Sequence, residues 1–185
     1  MGEPGWAAAA LMHGKRRLRA TVVAPGHAGA PYLPGLLALR EGPLLESAIC
    51  ALPERPDAII VNASGRDHPR GGGLALHLGA VLDLPSVGVT DRPLLAEGEP
   101  PADARGSASP LLLGGREVGR WLRTRTGARP VAVHPGWRVD VETALEVVLA
   151  GTYRARTPEP LRRARRAARE ARSRAAWMNL PTRRS

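Results

Sequence analysis

The residues that could do chemistry in this chain are few and widely spaced. Glu41 sits in Arg40-Glu41-Gly42-Pro43, at the predicted entrance to a helix, where a carboxylate can hold a hard divalent cation or simply favour the helix start. Asp67 lies in Val61-Asn62-Ala63-Ser64-Gly65-Arg66-Asp67-His68-Pro69-Arg70, and Asp91 in Gly88-Val89-Thr90-Asp91-Arg92-Pro93-Leu94. Both acids fall near the C-terminal ends of predicted strands, where α/β sites collect. Asp67 reads most simply as a loop residue facing solvent. Tyr32 is held between Pro31 and Pro34, so the ring can be presented with little backbone entropy left to lose. It can pack over its own loop or stack on a base.

Elements of both periods are needed to position these groups. Trp6 to Met12 and Leu18 to Ala24 read as strands joined by the turn His13-Gly14-Lys15-Arg16. Pro43 suits a first helical residue, with Leu45, Ala48, Ile49 and Leu52 on one face and Pro53 and Pro56 beyond the end. Ala58 to Val61 and Pro85 to Val89 are short apolar runs of the kind that form strands buried on both faces. Between them Leu74, Leu78, Val81 and Leu82 make a helical stripe, giving a βαβ-like unit. A hairpin closed at Gly114-Gly115 joins Leu111 to Leu113 with Val118 to Thr124, and Val131 to His134 is a further strand. Asp140 is placed to cap a helix that carries Val141, Ala144, Leu145, Val148 and Leu149 and stops at Gly151. A hairpin followed by alternating strands and helices predicts a three-layer α/β fold, a mixed central sheet flanked by helices.

Composition narrows the partners. The chain has 185 residues, 43% of them apolar, enough for one substantial core. No run approaches the length of a membrane-spanning helix and no leader segment is recognisable, which predicts a soluble, cytoplasmic protein. One cysteine, Cys50, excludes an internal disulfide and is expected as a small buried hydrophobe. The net charge of +10 favours polyanions, because basic side chains gain affinity by releasing counterions from phosphates. Leu161 to Trp177 packs seven arginines against one glutamate and can be a solvated helix face or a phosphate-tracking arm.

Several segments, in order, resemble the endonuclease V family of metal-dependent repair nucleases, whose fold is ribonuclease H-like. They are Pro31-Tyr32-Leu33-Pro34, Arg40 to Pro43, Asn62 to Arg70, Arg123 to Asp140 and Thr157 to Ala164. The resemblance implies an endonuclease V-like domain over 1–160, lacking the first catalytic strand, and an arginine-rich helix and tail over 161–185. It implies that Pro31, Tyr32 and Pro34 form a wedge at a deaminated base such as inosine, with His68 and Arg70 contacting nucleic acid, DNA or RNA. His77 is also kept. It further implies Glu41 and Asn62 as ligands of Mg²⁺, with Mn²⁺ as a substitute, activating water on a phosphodiester. The catalytic positions depart from the family pattern. Asn62 stands where an aspartate opens the motif and offers only a carbonyl oxygen. Asp91 stands in place of a lysine, and Trp137 in place of a histidine near the metal. The expectation is a nucleic-acid-binding protein with impaired catalysis; the alternatives are an active nuclease with a modified metal site and a non-catalytic interaction protein.

Overall fold

A computed structural model describes residues 2–14 and 16–178. The chain runs β1 (Pro4–His13), β2 (Arg17–His27), α1 (Leu37–Cys50), β3 (Ile59–Val61), α2 (Leu74–Leu82), β4 (Ser86–Thr90), β5 (Ala108–Leu113), β6 (Arg116–Leu122), β7 (Val131–Pro135), α3 (Val141–Gly151) and α4 (Glu159–Met178). The expected mixed α/β architecture is present, with one refinement. The strands form two sheets, the hairpin β1–β2 and a five-stranded mixed sheet in the order β3-β4-β7-β6-β5.

The five-stranded sheet carries the core on both faces, which makes the three layers. On one side Val87, Val89, Leu122, Val131 and Val133 meet Ala144, Leu145 and Val148 of α3 and Leu161 of α4. On the other, Ile59, Val61 and Ala63 pack on Leu74, Ala75 and Leu78 of α2, with Leu45 and Ile49 of α1 against them. β3, α2 and β4 form the expected parallel unit, Ile59 beside Ser86 and Val61 beside Gly88. Gly88 is required there: a Cβ would come 2.2 Å from the Ala63 carbonyl oxygen. The β5–β6 turn uses Gly114 (φ 57°) and Gly115 (φ 78°), the left-handed pair that a tight hairpin demands. The Asp140 carboxylate caps α3 by accepting the Thr143 N–H at 2.7 Å.

In the small sheet, Ala7, Ala9 and Leu11 alternate inward. The two alanines join Ala48 on α1, with Leu44 and Ile49 against them. α1 and α4 both pack on this hairpin. The domain boundary expected at 161 falls inside α4, whose first turn is held in the core by Leu161. The turn residue Lys15 and the stretch 179–185 lie outside the described residues. No described helix is long and apolar enough to cross a membrane.

Three expectations are corrected. α1 starts at Leu37 rather than at Pro43, which lies inside the helix. Proline breaks the local ladder, and the Gly29 N–H takes up the Arg40 carbonyl at 2.9 Å from outside the helix. Cys50, the last residue of α1, is exposed rather than buried, because it turns away from the hairpin that covers Ala48. Val81 is 50% exposed; the buried face of α2 is Leu74, Ala75, Leu78 and Gly79, since the helix lies on β3 and β4 by its small residues.

Candidate nucleic-acid interface and degenerate metal site

Glu41 on α1, Asn62 just after β3 and Arg165 on α4 all line one cavity of about 630 Å³ between the two sheets. Asn62 projects from the C-terminal end of β3, and its Oδ1 accepts a hydrogen bond from Arg165 Nη2. Arg165 reaches this place because it sits one turn beyond Leu161, the buried anchor of α4. Water reaches the Glu41 carboxyl, but the cavity walls displace much of the bulk solvent. That burial raises the carboxyl above its ordinary value of 4.5, and the nearby Arg40 guanidinium only partly offsets it. Arg40 is itself engaged by Glu3 and by the Ala30 carbonyl.

The shift has a testable sign. Below the ordinary value Glu41 is protonated whether the chain is folded or unfolded, and no penalty exists. As pH rises through that value and then the raised one, the unfolded chain releases the proton more readily, so folded stability falls and stays lower. Glu41→Gln is expected to raise the urea midpoint near pH 7 and to leave it unchanged below about pH 4; equal effects at both pH values would refute this.

These residues do not fit a divalent metal centre. Magnesium takes oxygen ligands with near-octahedral geometry, usually including carboxylates. Here Asn62 is neutral and its carbonyl oxygen already faces a guanidinium. Among the described residues no group of three or more His, Cys, Asp or Glu side chains is placed to hold a metal ion. The arrangement can instead bind an anion, because no carboxylate pairs with Arg165 among the described ion pairs.

Asp91 and Trp137 stand apart from this cavity and from each other. Asp91, just past β4, forms an ion pair with Arg156, whose guanidinium also donates to the carbonyls of Arg129 and Pro130 at 2.7 Å each. It braces the approach to α4. Trp137 lies at the opposite end of β4, its N–H donating to Ser86 Oγ at 2.8 Å and its indole N–H to Asp83 at 3.2 Å. Antiparallel pairing of β7 with β4 carries the chain away from the Asn62 end, and so removes Trp137 from any site shared with Glu41.

The nucleic-acid set, in contrast, is brought together. Pro31 and Pro34 hold an exposed loop from which Tyr32 projects, 67% exposed. The Arg70 guanidinium donates to the Gly35 carbonyl at 3.2 Å, tying this loop to the His68-Pro69-Arg70 turn. The Arg70 N–H in turn donates to His68 Nδ1 at 3.2 Å, fixing the nearly buried imidazole. His77 on α2 lies beside Gly42, next to Glu41. Along α4, Glu159 pairs with Arg162 and Glu170 with Arg166, while Arg163, Arg169 and Arg172 carry no ion pair among the described residues.

Sequence reasoning missed two residues, Arg165 and His134, and misread a third, Asp67. Arg165 was one arginine in a run, and only the fold selects it. Asp67 is fully buried rather than solvent-facing: its carboxylate accepts the N–H groups of Leu94 at 2.5 Å and of Leu95 and Ala96 at 2.8 Å. His134 is also fully buried, with Nε2 at 2.9 Å from Thr90 Oγ1. That hydroxyl donates its proton to the Arg92 carbonyl, so Nε2 must be the donor to it, leaving Nδ1 without a partner among the described residues. Burial lowers the His134 pKa from 6.5 to about 4, against the opposing pull of Asp67.

The endonuclease V family profile matches residues 2–166. The endonuclease V of Thermus thermophilus is 48% identical over 145 residues, covering 77% of this chain, and the chain spans 64% of that protein's length. The crystal structure of the Streptomyces avermitilis endonuclease V superposes with a TM-score of 0.83 at 38% identity, covering 95% of this chain and 83% of that one. A Ciona intestinalis endonuclease V, solved in complex with DNA containing an inosine followed by a ribo-adenosine, shares the fold at 18% identity with a TM-score of 0.77, over 93% of this chain and 85% of that one. By its motifs, its fold and these matches, the chain belongs to the endonuclease V family.

Proposed function

We propose that this chain binds nucleic acid at a deaminated base such as inosine and that its phosphodiester cleavage is weak or absent. In this reading Tyr32 enters the stack at the altered position from its proline-bounded loop, while Arg70 and the unpaired arginines of α4 follow the phosphates. The relatives support the binding half: the Ciona protein was solved on inosine-containing DNA. One observation carries the catalytic half. The oxygen that would serve a cation at Asn62 is bonded to Arg165, so a positive charge already occupies the place of the metal. Within this site Glu41 and Arg165 have no assigned chemical step; they set the local potential that a phosphate meets.

The test is nicking of inosine-containing duplex and single strands with Mg²⁺ or Mn²⁺, run beside anisotropy measurements of binding to the same oligonucleotides. The natural chain is expected to bind with an affinity that falls steeply with salt, log K dropping by about 0.9 per phosphate contact per decade on duplex. Tyr32→Ala is expected to weaken binding to inosine-containing strands more than to unmodified ones. Cleavage by the natural chain is expected at the level of the no-protein control. Robust turnover that Glu41→Ala abolishes would overturn the impaired-catalysis reading, and affinity indifferent to salt would overturn the binding reading.

A further inference from the structure

The charge of α4 is laid out in a pattern. Leu161, Ala164, Ala168, Ala171 and Ala175 recur at alternate spacings of three and four residues, all at least partly buried, and α4 packs on β1 and β2. Every arginine from Arg162 to Arg174 is exposed. At about 100° per residue these arginines fall into two rows, one on each side of the outermost line of the helix and about 130° apart around its axis. Arg162, Arg165, Arg169 and Arg172 make one row; Arg163, Arg166 and Arg174 make the other, with Glu170 set among them.

Glu159 and Glu170 engage Arg162 and Arg166, and the Asn62 amide engages Arg165. Arg163, Arg169, Arg172 and Arg174 carry no ion pair among the described residues. Arg169 also stands three or four residues from Arg165, Arg166 and Arg172, and such like-charge neighbours weaken a helix on its own and favour a polyanion against it. The family profile ends at Arg166 whereas α4 continues to Met178, so the match does not account for Arg169, Arg172 or Arg174.

Two rows select among nucleic acids. Single strands are gripped by stacking their bases on aromatic rings, and from Arg162 to Ala176 the helix has none. Cations on both flanks of a helix suit instead a groove with phosphates on both walls. The major groove of B-form DNA, about 12 Å wide, admits a helix, whereas that of an RNA duplex is too deep and narrow. We propose that α4 lies in the major groove of duplex DNA, its two arginine rows contacting phosphates of the two opposite strands, as an arm that adds affinity whatever the bases. This contact presupposes that the chain binds nucleic acid but uses neither Tyr32 nor Arg70.

The probes are a DNA duplex of about two helical turns, the RNA duplex of the same sequence, and the DNA duplex carrying one inosine, each added to the full chain. The natural chain is expected to bind the DNA duplex about tenfold or more tighter than the RNA duplex, and to shield guanine N7, which faces the major groove, from dimethyl sulfate. Two double variants separate the rows, Arg169→Gln with Arg172→Gln and Arg163→Gln with Arg174→Gln. Each should lower the slope of log K against log salt by about 1.8, two contacts at about 0.9 each, and weaken binding to plain and inosine-bearing DNA alike. Equal affinity for the RNA duplex, an unshielded N7, or an unchanged salt slope in either double variant overturns the major-groove arm. A natural chain that binds no nucleic acid overturns this contact together with the binding reading. One that binds both DNA duplexes equally, yet loses slope in both variants, refutes the inosine reading and leaves the arm standing.

Discussion

Asp67→Ala is expected to lower folding stability by about 3 kcal/mol, read from urea unfolding near pH 7. The carboxylate is fully buried and is the acceptor for three consecutive backbone N–H groups, those of Leu94, Leu95 and Ala96. Alanine removes both acceptor oxygens and with them all three hydrogen bonds, and each buried donor left without a partner costs roughly 1–3 kcal/mol. Leu94 and Leu95 are near the surface, so their N–H groups recover water in part, which holds the sum to the lower end of that range. Asp67→Asn is expected to lose somewhat less, because its amide keeps one oxygen but turns an NH₂ group toward donors. A loss below about 1 kcal/mol for Asp67→Ala would show that the loop does not depend on the carboxylate. The consequence extends past the loop, since Glu97 bridges to Leu112 directly after the clamped residues and holds the outer edge of β5.

The second large effect is a pH dependence. His134 has its pKa lowered from 6.5 to about 4 by burial, with Asp67 pulling the other way. Above the ordinary value the ring is neutral in both folded and unfolded chains and costs nothing. As pH falls below it, the unfolded chain takes up a proton that the folded chain refuses until about pH 4, so stability is lost across that window. The shift corresponds to about 3 kcal/mol when the window has been fully crossed. His134→Gln is expected to be less stable near neutral pH but to lose its stability less steeply between pH 6.5 and 4. Parallel pH profiles for the two proteins, in urea midpoints, would show that the ring is not the titrating group.

What could be read from the sequence follows the range of the forces involved. The hairpin turn at Gly114-Gly115, the Asp140 cap and the β3–α2–β4 unit are set by neighbours within a few residues, and each was legible. The start of α1 was not, because Pro43 reads locally as a helix beginning, whereas the helix runs through it and its Arg40 carbonyl accepts the N–H of distant Gly29. The proline-bounded Tyr32 loop and the His68-Pro69-Arg70 turn were legible as motifs, but their joining through Gly35 required the fold. Asp67 was misread as solvent-facing because its partners lie 27–29 positions away. Arg165 and Asn62 are 103 positions apart, and no periodicity links an arginine of an end helix to a strand end in the first half. Trp137 was misplaced for the related reason that strand direction, on which its distance from Asn62 depends, is a property of pairing rather than of residue type.

The separation of the hairpin from the main sheet also orders events in time. The five-stranded sheet with α2 and α3 is built from one continuous stretch, Ile59 to Gly151. Its contacts lie within that one stretch, so its loop-closure cost is smaller than that of joining the two ends of the chain. β1 and α4, from opposite ends of the chain, pack against each other across the whole of that stretch. Their meeting closes the longest loop in the molecule and is repaid mainly once the middle is in place. The sheet is then expected to serve as a template on which the two ends converge, with the packing of β1 on α4 among the last contacts to form, which faster amide exchange at Ala7 to Leu11 than at Val131 to Val133 would show.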